Sequence, residues 1–143
     1  MTLTKAQIAE ITETIEAYGT AYRKKDIKTL SAIFSPDITG FGSGPDEVIA
    51  NHKDFIGHIK RDMSQATIRS VEFSDRKIFG EGRIAWTTSK TAIAFTIDGK
   101  SKQVMRGRST MVLRNTGSRW VIEQYHFSMP YGEQAEGESF PGI

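Results

Sequence analysis

A histidine, a glutamine and an arginine in the last third of this 143-residue chain carry its first chemical signal. His126 falls on an apolar, strand-like stretch, and an imidazole can give or take a proton at neutral pH. Strict alternation along residues 119–128 puts Trp120, Ile122, Gln124, His126 and Ser128 on one face, and Val121, Glu123, Tyr125 and Phe127 on the other. His and Gln beside Trp and Ile are expected either as a polar floor in an apolar cavity, with His126 the catalytic candidate, or as a buried histidine satisfied by a neighbour. Arg108 shares a face of the preceding strand with Arg106, Thr110 and Val112. If the turn at 115–118 brings that face level with His126, a guanidinium in a dry cavity needs a carboxylate from the protein or from an acidic small molecule. Otherwise Arg108 is a structural ion pair or a solvated surface charge.

Other candidates are read in the same way. Asp46 and Glu47 follow the glycine-rich run Gly42-Ser43-Gly44-Pro45. Either could act as a base or pair with Arg108, or both are simply acids favoured at a helix N-terminus. Trp86 lines a cavity or sits in the core. Gly40-x-Gly42-x-Gly44 lacks the Lys-Ser/Thr of a phosphate loop and the spacing of a dinucleotide fingerprint. His52 and His58, six apart, miss the four-residue spacing that sets two ligands on one helix face, so no metal is implied. No cofactor is implied either.

Composition narrows the classes. The chain has no cysteine, which removes disulfides and thiolate chemistry. Nineteen basic against 17 acidic residues leave a net charge of +2, too little to argue for nucleic acid. The N-terminal residues lack the apolar core of a secretory signal, and no run approaches the ~20 apolar residues of a membrane span. A cytoplasmic protein with no membrane partner is the expectation.

The elements that would position these residues are legible from periodicity. Thr4 and Gln7 have the spacing of a capping box, followed by an apolar stripe of Ile8, Ile11, Ile15, Tyr18 and Tyr22. Asp26 caps a short second helix with Ile27, Leu30, Ile33 and Phe34, ended by Ser35-Pro36. A short strand over 38–41 runs into the glycines, and Phe55, Ile56, Ile59 and Met63 mark a third helix over 52–63. Strands are predicted over 67–78, 83–97, 103–114 and 119–128, with Asp98-Gly99 as a hairpin turn and an irregular tail from Met129. Helices followed by a meander of long strands predict one α+β domain over 1–143, with helices on one face of an antiparallel sheet.

The ordered series Ala85-Trp86, Arg108-x-Thr110-x-Val112-Leu113 and Trp120-x-x-x-Gln124-x-His126-x-Ser128-x-Pro130, with Gly42 to Glu47 upstream, resembles the SnoaL-like branch of the nuclear-transport-factor-2-like superfamily. Within it the likeness is to domains related to the calcium/calmodulin-dependent kinase II association domain, although Gln124 stands where that domain has a histidine. The resemblance implies a cystatin-like cone, a curved sheet wrapped around the first helix, with a cavity open at one end. It also implies a homodimer through the outer sheet face, where alternation puts Tyr125 and Phe127. The superfamily holds isomerases, cyclases, dehydratases and non-catalytic association modules, so fold alone leaves the role open. Tyr18 and Tyr22, on the helix that lines the cone in this superfamily, are then either phenols that polarise a ligand carbonyl or core aromatics. The functional expectation is a small-molecule pocket of isomerase, cyclase or dehydratase type for a polar or acidic ligand. The alternative is a non-catalytic binding or association module.

Overall fold

The structure, a computed structural model, describes residues 2–143. It begins with helix α1, Lys5–Lys24, started by the capping box its sequence spells. The Gln7 amide donates to Thr4 Oγ1 at 3.1 Å, and the Thr4 amide donates to Gln7 Oε1 at 2.9 Å. Lys25, in the left-handed region at φ 58°, turns the chain out of α1. Asp26 then caps the short helix α2, Ile27–Ile33, by accepting from the Thr29 amide at 3.1 Å.

Strand β1, Phe34–Phe41, follows α2 without a break. Pro36 cannot continue a helix, so Phe34 leaves the helix expected from sequence and starts the strand, paired with Ile122. The glycine loop leads to a two-residue strand, β2, Val48–Ile49, and then to α3, His52–Gln65, capped by Asn51 Oδ1 on the Asp54 amide at 2.8 Å. Four long strands complete the chain: β3 Thr67–Glu81, β4 Ile84–Thr96, β5 Gln103–Asn115 and β6 Trp120–Ser128.

The sheet order is β2-β1-β6-β5-β4-β3, antiparallel throughout except where β1 runs parallel to β6. The curved sheet wraps the helices, giving the α+β cone expected from sequence, with three helices. Its inner face holds Phe73, Met111, Leu113, Ile122, Tyr125 and Phe127, all buried, against Ile11, Ile15, Tyr18 and Tyr22 of α1 and Phe55 and Ile59 of α3. Aromatic rings weld these layers together. Tyr18 meets Phe34 and Tyr125 edge-on at centroid distances of 5.3 and 5.5 Å, and Phe55 packs on Phe34 at 4.4 Å. Complete burial of a ring such as Phe34 stabilises the fold by about 1.5–3 kcal/mol.

Two departures from regular pairing shape the sheet. β3 carries shifts between Ile68 and Ser70 and between Ser74 and Lys77, the second containing Asp75 at φ 51°. In β6, Val112 faces Gln124 while Leu113 faces Ile122, so Glu123 is an extra residue, a β-bulge. Its carboxylate is tied down: Ser35 Oγ donates to Oε1 at 2.9 Å, and Arg114 Nε donates to Oε2 at 3.1 Å.

Immediately beyond that bulge β1 lies close against β6. A Cβ on Gly40 would stand 1.7 Å from the Tyr125 carbonyl oxygen, so only glycine lets the strands meet here. Gly40→Ala is expected to destabilise the fold by about 2 kcal/mol or more, read as a lowered midpoint in chemical denaturation. An unchanged midpoint would mean that β1 moves aside without loss.

Candidate functional site

Between α1, α3 and the inner face of the sheet the cone encloses a cavity of about 220 Å³. Tyr18, Phe55, Ile59, Tyr125 and Phe127 form its buried depth, and the exposed residues Ser43, Gln65 and Ile97 form part of its rim. The wall is mostly apolar, with Ile49, Ile68, Ile93, Phe95 and Met105 adding to it. A few polar groups interrupt that wall, as expected of a small-molecule site.

The most informative of these is a pair from two helices. Tyr22 Oη, on α1, donates to Asp62 Oδ2, on α3, at 2.8 Å. Burial raises the Asp62 carboxyl above the ordinary value of 3.8, against the hydrogen bond from Tyr22, and the nearby charge of Glu47 raises it further. Burial, and then the Asp62 charge, push the Tyr22 phenol up, so it stays a donor at any physiological pH. Deeper in, the Tyr18 and Tyr125 rings meet edge-on at 5.5 Å, and Ser109 Oγ lies 2.6 Å from Thr91 Oγ1. Burial is the main cause that raises both of these phenols as well. One turn before Asp62 on α3, His58 also lines the cavity, and its Nδ1 is buried with no hydrogen-bond partner among the described residues.

The acids after the glycine loop divide. Asp46 is exposed and held by Arg61, which donates to its two oxygens at 2.6 and 3.2 Å; that hydrogen bonding keeps the Asp46 carboxyl below its ordinary value. Glu47 turns inward to the cavity wall and keeps one longer contact, 3.4 Å, to Arg61. Its carboxylate folds back over the loop, where a Cβ on Gly42 would stand 2.0 Å from Oε2. The glycine run therefore makes room for a carboxylate at the cavity.

Among the residues expected from sequence, the cavity brings together Tyr18, Tyr22 and Glu47 and leaves out the rest. Arg108, Gln124 and His126 are exposed on the outer face of the sheet. For Gln124 and His126 the bulge at Glu123 is the reason: an extra residue reverses the alternation, so Trp120 and Ile122 face inward, and beyond it Tyr125 and Phe127 do. Arg108 faces out because β5 keeps its alternation and sends Ser109, Met111 and Leu113 inward. Arg108 and His126 do share a face, since Thr110 between them pairs with His126, but it is the wrong face for the cavity. The His126 ring lies 5.7 Å from that of Phe41. Trp86 is also on the outer face, 47% exposed, and is neither core nor cavity wall. Tyr125 and Phe127, expected among dimer contacts, are buried inside.

Asp62 and His58 were missed, though a signal existed. Asp62 lies seven residues after Phe55, three after Ile59 and four after His58, on the apolar face of α3. A carboxylate on the buried stripe of a helix asks for a partner, and Tyr22 supplies it. Among the described residues no group of three His, Asp or Glu side chains could hold a metal ion, and no helix is long and apolar enough to cross a membrane.

A sheet cone with this cavity is the architecture of the SnoaL-like proteins, and the sequence matches the SnoaL-like domain over residues 11–132. The chain belongs to that family. Solved structures share the fold at low identity. An NTF2-like protein of unknown function from Pseudomonas putida KT2440 is 19% identical, with TM-score 0.76, covering 99% of this chain and 98% of that one. A ketosteroid isomerase-like protein from Erwinia carotovora atroseptica is 16% identical, with TM-score 0.76, covering 90% and 99%. A Xanthomonas campestris protein provisionally assigned as a calcium/calmodulin-dependent protein kinase II association domain is 16% identical, with TM-score 0.75, covering 85% and 86%. No curated protein matches the chain.

The raised Asp62 carboxyl makes a prediction with a definite sign. A carboxyl whose pKa is higher folded than unfolded adds stability that is complete below the unfolded value and is lost as pH rises through the folded one. Asp62→Asn keeps an acceptor for Tyr22 but removes the charge. It is expected to flatten the fall in stability from pH about 3.8 upward and to leave the variant at least as stable as wild type at pH 7. Denaturation midpoints across that range check it; parallel curves for the two proteins would show that Asp62 titrates normally.

Proposed function

We propose that this chain is a small-molecule pocket protein of isomerase, cyclase or dehydratase type, in which Asp62 moves a proton on a neutral, largely apolar ligand. The observation that carries this reading is the Tyr22–Asp62 hydrogen bond in an apolar wall, with the carboxyl raised by burial. A carboxyl raised toward neutrality serves better as both base and acid than a solvated one. Tyr22 holds it in place, and the inner phenols Tyr18 and Tyr125 offer a hydrogen bond to a ligand oxygen that gains charge during the step.

The ligand's charge follows from the wall. Arg108, the group expected to hold an acidic ligand, stands exposed on the outer face of β5. What remains inside is acidic, Glu47 and Asp62, with no lysine or arginine among the lining residues. A carboxylate ligand would meet like charge in a site of low dielectric, so a ketone, phenol or alcohol fits better.

A second reading, an association module, draws on the outer sheet face. Phe79 and Trp86, cross-strand neighbours 56% and 47% exposed, and Val104, 45% exposed, leave apolar surface uncovered. A homodimer through this face would cover it, and both readings can hold at once.

Matched probes of one size test the ligand reading. At pH 7, 4-hydroxyacetophenone is expected to raise the melting temperature and to perturb tyrosine fluorescence, while benzoate is expected to do neither. Asp62→Ala should weaken the neutral probe's binding by about tenfold. Preference for benzoate, or no loss in Asp62→Ala, would overturn the assignment.

A further inference from the structure

Four cations stand on the outer face without an ion pair among the described residues. In the pairing register Lys77 lies beside Thr88, Lys90 lies directly opposite Arg108, and Arg106 lies opposite Ala92. All four are exposed, and among the described residues none of them forms an ion pair. The carboxylate in the same rows is Glu72, across Ala92 from Arg106.

The opposite charge is in the segment that follows β6. Residues 129–143 hold Glu133, Glu136 and Glu138 and no lysine or arginine, together with Tyr131 and Phe140, which are 56% and 71% exposed. The segment leaves the sheet at Ser128, directly opposite Arg108. Its polar side chains bond locally: Tyr131 Oη donates to Glu133 at 2.5 Å, and Gln134 Nε2 donates to the Glu138 carbonyl at 2.8 Å. None of these bonds reaches the sheet.

We propose that, in a dimer through the outer face, residues 129–143 of each copy lie on the Lys90–Arg106–Arg108 rows of the other. The inference rests on the dimer reading above and adds what that reading lacks. In a two-fold interface the same patch meets itself, and a patch with four cations and one carboxylate, Glu72, brings an excess of positive charge together unless further anions come between the copies. The exchanged segment supplies three carboxylates for that position and two aromatic side chains to lie beside Phe79 and Trp86. Charge complementarity and the exit point next to Arg108 favour this occupant over an unrelated acidic partner.

Light scattering and sedimentation at low and ~1 M salt read the assembly directly. Wild type is expected to be a dimer that weakens with salt. Glu133→Gln/Glu136→Gln/Glu138→Gln should raise its dissociation constant by about tenfold or more, and Arg106→Glu/Arg108→Glu should do the same. Adding Glu133→Lys/Glu136→Lys/Glu138→Lys to the arginine variant should restore much of the affinity, a rescue that misfolding would not give. Retained binding of 4-hydroxyacetophenone would report an intact cone in each variant. A glutamine variant that dimerises as tightly as wild type overturns the segment's role and leaves the outer-face dimer standing. A wild-type monomer at tens of micromolar overturns both.

Discussion

Glu123 occupies a place in β6 that the ladder does not provide for, and its two partners hold it there. Ser35 reaches it from the start of β1, and Arg114 reaches it from the end of β5, so the bulge is clamped by both neighbouring strands. Without the extra residue, the inward face beyond Ile122 would carry Gln124 and His126, and the rings of Tyr125 and Phe127 would point to solvent. The aromatic cluster of Tyr18, Phe34, Phe55 and Tyr125 depends on that reversal, and so does the composition of the cavity wall. The bulge also sits just ahead of the tight β1–β6 contact at Gly40.

Given that frame, the cavity has few polar groups and most of them are matched. The buried hydroxyls of Ser109 and Thr91 satisfy each other, which removes the cost of burying them without partners. Asp62 is the exception in kind, an ionisable group in an apolar wall with a single strong donor. Burial and Glu47 outweigh that donor, which is why the net displacement of its carboxyl is upward. A structural hydrogen bond alone would be served as well by an asparagine, with no cost for charge.

Much of the fold was legible because it rests on local codes. The capping box at Thr4, the Asp98-Gly99 turn and the helical stripes each have a short-range physical cause, and each element formed where that cause placed it. The cavity was legible only in part. Tyr18 and Tyr22 lie on the buried stripe of α1, and Glu47 follows glycines that leave room for it. Gln124 and His126 went to the wrong face because alternation was carried through a bulge. The warning is present in the residues: apolar side chains fall at the even positions 120 and 122 and then at the odd positions 125 and 127. One strand with two parities and one buried face must carry an extra residue. The partner of Asp62 was not legible, since Tyr22 lies 40 positions away and meets it only through helix packing.

The same reversal has an electrostatic consequence on both faces of the sheet. β5 keeps strict alternation, sending Met105, Ser109 and Met111 inward and Arg106 and Arg108 outward. β6 follows it only after Glu123, when His126 joins Arg106 and Arg108 outside. With Arg106 and Arg108 outside, no lysine or arginine lines the cavity beside Glu47 and Asp62, and Arg61 reaches Glu47 only at 3.4 Å. A guanidinium in that wall would pull the Asp62 carboxyl down and pair with it, as Arg61 does with Asp46 at the exposed end of the loop. The outer face correspondingly carries the unpaired positive charge. One inserted residue in this way decides, for each β6 side chain beyond it, which face of the sheet it joins.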